Sequence, residues 1–135
     1  LVGSEMCIRD RILIDELSTC SCIRIPKVPH NIIHAYYRFY CYVNLDALST
    51  DWNRGRIIKE ITNSGYPVFE GTCGEIYLEK CFIKAGITPK KRLLNASNLS
   101  STSLCFLTHP SIDEYTMHKY ARNIKKVLDS ALRGD

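Results

Sequence analysis

Between Gly71 and Glu75 the chain reads Gly-Thr-Cys-Gly-Glu, which sets a hydroxyl, a thiol and a carboxylate side by side between and beyond two glycines. Glycines let a backbone approach another group closely, and loops carried by a rigid scaffold are where binding residues concentrate. The same residues also read as an ordinary strand-to-helix turn with Thr72 as the helix cap. As a nucleophile Cys73 needs an activating base, and none of the four histidines is near it in sequence. Gly-x-Ser-x-Gly, Ser-x-x-Lys, His-Glu-x-x-His, phosphate-loop and dinucleotide glycine patterns do not occur, so a complete catalytic site of those kinds is not expected. Cys20-x-Cys22 and His30-x3-His34 have ligand-like spacing, but neither is matched by a second pair at zinc spacing, and buried thiols and ordinary histidines are the expectation. His34 and His109 read most simply as hydrogen-bonded structural residues.

Composition narrows the classes further. The net charge of +4 comes from scattered basic groups (Arg54 and Arg56, Lys90-Lys91-Arg92, Lys125-Lys126), whereas a phosphate-binding surface needs a clustered face, so no nucleic-acid partner is expected. No apolar run approaches the roughly 18 to 20 residues that cross a bilayer, so no membrane partner is expected either. An odd count of seven cysteines, with no signal-peptide pattern, suggests reduced thiols and a cytoplasmic location. The sequons at Asn95 and Asn98 are then chance matches. At 135 residues the chain fits one domain, or one part of a larger enzyme.

The elements that must position these residues follow from periodicity. Ile12 to Leu17 reads as the end of a helix, and Ile25 and Val28 are held extended because each precedes a proline. In His-Ala-Tyr-Tyr-Arg-Phe-Tyr-Cys-Tyr-Val, residues 34–43, a period of two predicts a strand. Ala35, Tyr37, Phe39, Cys41 and Val43 form its core face, and Tyr36, Arg38, Tyr40 and Tyr42 an amphipathic face. A helix is expected from the capping candidates Ser49, Thr50 and Asp51, through Ile57, Ile58 and Ile61, to a left-handed end at Gly65. A short strand over Tyr66 to Phe69 and a short helix with Ile76, Tyr77, Cys81 and Phe82 on one face follow. Residues 85–101 read as loop. Leu104 to Leu107 belong to an apolar strand, and Ser111 with Glu114 forms a capping box that opens a long amphipathic helix to about Leu132. Strand, helix, strand, short helix, strand, long helix gives a two-layer α/β domain.

With those segments in place the chain resembles the DegT/StrS family of sugar aminotransferases, over about Ile25 to Leu132. The resemblance rests on the His34-Ala35-Tyr36-Tyr37 strand start, the loop from Gly71 to Tyr77, and Leu-x-His-Pro followed by Ser-x-x-Glu between Leu107 and Glu114, in that order. It implies the C-terminal small domain of the aspartate aminotransferase fold, α/β with a small, mainly antiparallel sheet. It also implies pyridoxal 5'-phosphate, a nucleotide-linked keto sugar as substrate, an amino-acid amino donor and a homodimer, with amino sugars made for polysaccharide, glycan or antibiotic biosynthesis. In that family a large domain holds the cofactor through a lysine, and none of the nine lysines here lies in such a motif, so the chain alone is expected to be inactive. By position in the family, His34, Tyr36, Thr72, Cys73, Glu75 and Tyr77 would face the sugar-nucleotide cleft. No residue is expected to be catalytic.

Residues 1–11, Leu-Val-Gly-Ser-Glu-Met-Cys-Ile-Arg-Asp-Arg, show no hydrophobic period and no targeting pattern. They resemble a peptide translated from sequencing-adapter contamination, or else a frayed tail, and on either reading weak packing is expected and the small domain is residues 12–135. Two other readings stay open: a free-standing α/β module that uses the aromatic strand face for a partner, and a small cysteine enzyme built on Cys73.

Overall fold

The computed structural model describes residues 2–71 and 73–133, with side chains from residue 8 on. Five helices, α1 (Val2–Leu17), α2 (Arg54–Asn63), α3 (Lys80–Ala85), α4 (Leu94–Thr102) and α5 (Glu114–Ala131), accompany four strands, β1 (Ile23–Arg24), β2 (Arg38–Val43), β3 (Val68–Phe69) and β4 (Ser103–Leu107). The strands form one antiparallel sheet in the order β1-β2-β4-β3. The expected α/β architecture is what the chain adopts.

Alternation along β2 buries Phe39, Cys41 and Val43, and the register sets Phe39 opposite Phe106 and Cys41 opposite Leu104. Directly opposed residues point to the same side of a sheet. This face, with Val68 of β3, meets the helices in one core that takes Leu13 and Leu17 from α1, Ile57 and Ile61 from α2, and Met117, Ala121, Ile124 and Leu128 from α5. The opposite face carries the rows Arg38–Leu107, Tyr40–Cys105–Phe69 and Tyr42–Ser103. Arg24 of β1 lies over the Tyr42 ring, 4.7 Å from its centre.

The core face of β2 is shorter than its sequence pattern promises. Tyr37 is 77% exposed and Ala35 is exposed too, because the strand begins at Arg38. The cause is Tyr36, whose backbone is left-handed at φ +43 and so breaks the extended path. Hydrogen bonds on both sides help hold it there: the Tyr36 N–H donates to His34 Nδ1 at 2.9 Å, and the Thr108 hydroxyl donates to the Tyr36 carbonyl at 2.6 Å.

Helix starts also differ from expectation in their details. Asn53, not residues 49–51, caps α2 by accepting from the Arg56 N–H. Asp113 caps α5 by accepting from the Thr116 N–H at 2.7 Å, while Ser111 pairs with His109 Nδ1, so the Ser111–Glu114 box does not form. Gly65, at φ +88, ends α2 as predicted. Residues 85–101, expected as loop, contain most of α4, whose asparagines and serines hid the helical period. Ser49 secures the far end of α5, its N–H donating to the Ala131 carbonyl at 2.9 Å and its hydroxyl to that of Leu132 at 2.6 Å.

Residues 2–11 are helical. They form the first turns of α1, and the buried Arg9 donates to the carbonyls of Ile112 and, at 2.6 Å, Pro110 beside the start of α5. Asp10, also buried, has one carboxylate oxygen with no hydrogen-bond partner. Burial pushes its pKa up, against smaller opposing effects of backbone hydrogen bonding, Arg11 and His34.

Candidate functional site

Two places collect the residues that the sequence singles out. The first is a groove of about 230 Å³ between residues 25–32 and β2, lined by Ile25, Val28, Ile32, His34, Tyr36 and Tyr40 among others. The prolines at 26 and 29 keep its far wall extended, as fixed backbone angles require. The His34 ring stands edge-on to Tyr36 with centres 4.2 Å apart, and its Nδ1 is taken by the Tyr36 N–H, which leaves Nε2 as the nitrogen turned to other partners.

The second is a depression of about 280 Å³ on the tyrosine face of the sheet, lined by Tyr40, Tyr42, Cys73, Gly74, Ala96, Leu99, Ser100 and Ser103. Tyr40 borders both places. Gly71, left-handed at φ +104, passes so near the Tyr40 ring that a Cβ would sit 3.0 Å from Cε1, which accounts for a glycine there. At Gly74 a Cβ would fall 2.8 Å from the Ser100 Cα, so the loop and α4 meet backbone to backbone.

The rest of the loop is engaged within the chain. Glu75 accepts from Arg92 Nε at 2.8 Å and Nη2 at 2.6 Å, and from the Tyr77 hydroxyl at 2.6 Å. The Arg92 fork and then Tyr77 hold its carboxyl down to about 2. The Tyr77 pKa is raised, first by desolvation and then by Glu75. Cys73 is exposed with its sulfur 3.4 Å from Glu79 Oε1, and that hydrogen bond raises the thiol's pKa, the opposite of what a nucleophile needs. Thr72 lies outside the described residues. The six candidates are thus not one constellation: His34 and Tyr36 share the groove, Cys73 the depression, and Glu75 and Tyr77 turn to Arg92. Sequence reasoning missed Arg92, which sits 17 residues from Glu75 inside a run of basic residues and has no local signal.

A covalently held cofactor needs a lysine inside a pocket, with its charged form disfavoured by burial or by a neighbouring cation. Lysines here do not fit that role. All but Lys125 are exposed, and Lys125 donates to Asp129 at 3.1 Å, which raises its pKa.

Solved structures with this arrangement include aminotransferases and a dehydratase. The chain superposes on the aminotransferase from Psychrobacter cryohalolentis at 32% identity and TM-score 0.89, over 96% of this chain and 35% of that one. The fold is an aminotransferase fold. A DegT DnrJ EryC1 StrS aminotransferase from Brucella abortus matches at 20% identity, TM-score 0.69, over 91% of this chain and 31% of that one. A putative sugar aminotransferase from Streptococcus pneumoniae in its PMP form matches at 15% identity, TM-score 0.72, over 96% and 32%. The resemblance read from the sequence therefore holds, and these aminotransferases span about three times the length of this chain. A match over 96% of 135 residues leaves out about five, so much of α1 lies inside it. No family model matches the chain, and no curated protein does.

Proposed function

We propose that this chain is the C-terminal small domain of a pyridoxal-phosphate-dependent sugar aminotransferase of the DegT/StrS type. Its substrate is a nucleotide-linked keto sugar and its amino donor an amino acid, and it works as a cytoplasmic homodimer. The observation that carries the reading is the superposition at 32% identity over nearly the whole chain onto about a third of an aminotransferase. When bound, the cofactor supplies the electron sink for amino transfer; the lysine that holds it is assigned to the large domain, because every lysine of this chain is exposed except Lys125, which pairs with Asp129.

On this reading His34 and Tyr36, at the kinked start of β2, and the loop with Thr72, Cys73, Glu75 and Tyr77 border the sugar-nucleotide cleft. The exposed Ile33, Tyr37 and Leu94 offer apolar area of the kind that marks an interface with the rest of the enzyme or its partner subunit.

Reading the gene upstream of Ile12 tests the proposal. An in-frame continuation that encodes a cofactor lysine is the expected result. A start codon with a ribosome-binding site at that point, or covalent binding of pyridoxal phosphate with turnover of an amino donor by the 135-residue chain itself, overturns the proposal.

A further inference from the structure

No residue from Cys73 to Leu99 is buried, although this segment holds two helices and a 3₁₀ turn over Ile76–Leu78. Such a segment has little apolar burial to keep it closed, and stability of this kind is local. It nevertheless lies against the sheet. α4 packs on β2, and Ala96, Leu99 and Ser100 face Tyr40 and Tyr42 across the depression that Cys73 and Gly74 complete.

One polar joint ties the two limbs of the segment together. Glu75, on the outgoing limb, takes the fork of Arg92 from the returning limb in a two-bond grip, a geometry stronger and more directional than a single bond. The Tyr77 hydroxyl donates to Glu75 and accepts the Leu93 N–H at 3.1 Å. Leu93 is the N-cap residue of α4 and supplies no side-chain cap, and Tyr77 satisfies the Leu93 N–H, one of the unpaired donors at that helix start, from across the joint. The Glu75 side chain is only 12% exposed, which shields the ion pair from water on one side. A separate set of contacts lies at the base of the segment. Arg54 donates to the Ser100 carbonyl and pairs with Glu70 at 3.3 Å, and the Ser103 hydroxyl donates to the Glu70 carbonyl.

We infer that residues 73–99 form a flap that opens as a unit from the tyrosine face of β2 while the helices on the other face stay folded, and that the Glu75–Tyr77–Arg92 joint is its latch. The base contacts through Arg54 and Ser103 act as the hinge end and stay made. Opening uncovers Tyr40 and Tyr42 and joins the depression to the groove that Tyr40 also borders. The inference does not depend on the enzyme assignment, since every group in it belongs to this chain.

Hydrogen–deuterium exchange of the full chain, followed by mass spectrometry, tests it. In Glu75→Gln and in Tyr77→Phe, peptides from residues 73–99 should exchange about tenfold faster than in the parent, while peptides from β2, β4 and α5 keep their protection. Arg92→Lys, which keeps the charge and loses the fork, should fall between. Unchanged exchange of 73–99 in Glu75→Gln removes the latch. Equal loss of protection in α5 and β4 removes the flap, because segment and body would then open together.

Discussion

β4 and the segment just before it differ sharply in how they are held. Four of the five β4 residues are buried, while no residue from Cys73 to Leu99 is. The body is held by apolar area: Phe39 and Phe106 opposite each other, α5 across them, and Tyr120 edge-on to Phe106 with ring centres 5.9 Å apart. The segment's two limbs are tied chiefly by a polar joint of one carboxylate, one guanidinium and one phenol. Nonpolar contact over many residues and a few directed polar bonds can both define a shape, but only the first resists unfolding strongly.

The largest effect should separate the two directly. Phe106→Ala should cost about 3 to 5 kcal/mol in denaturant unfolding, as aromatic truncations in cores do, while Leu94→Ala in the segment should stay within about 0.5 kcal/mol. Equal costs would break the distinction. Thr108→Val should come next: its hydroxyl is buried and bonded to the Tyr36 carbonyl, and losing it should cost about 1 to 3 kcal/mol. Chemical-shift changes at His34 and Tyr36 should accompany it, since the left-handed backbone there loses a hydrogen bond.

Two pH effects should be smaller and should run in opposite directions. Asp10 has its pKa raised above the ordinary 3.8, so its contribution is complete at or below that value and is lost as pH rises through the folded-state value. The parent should therefore lose stability relative to Asp10→Asn as pH is raised from about 4, a difference read from melting temperatures across pH. Glu75 has its pKa lowered to about 2 from 4.5, so its contribution is complete above 4.5 and fades only toward about 2. Exchange of residues 73–99, corrected for intrinsic rates, should be flat from pH 5 to 8 and rise only in stronger acid. A rise near neutral pH would assign the hold on that segment to another group.

Legibility in the sequence follows the same division. Apolar periods revealed the core halves of β2, α2 and α5 because burial repeats every two residues in a strand and every three or four in a helix. They failed wherever a polar side chain decided the local path. Tyr36 turns left-handed through His34 and Thr108, the latter 72 residues away, so Tyr37 leaves the core face that its parity assigns to it. The caps at Asn53 and Asp113 lie only two residues beyond Asp51, the last of three candidates, and Ser111, since several neighbouring side chains could all accept. α4, rich in serine and asparagine, has no apolar stripe to announce it. Of the candidate site, Cys73 and Glu75 stood out through the glycines beside them and Tyr77 through the family resemblance, whereas Arg92 could be paired with Glu75 only in three dimensions.

Arg9 joins α1 to the approach of α5 more than a hundred residues later, and α1 packs along α5. During synthesis α1 therefore emerges from the ribosome long before the surface it needs, and β2 waits similarly for β4. Neither can bury its apolar side until β4 and α5 have followed, so the domain should complete its folding as a late and concerted event.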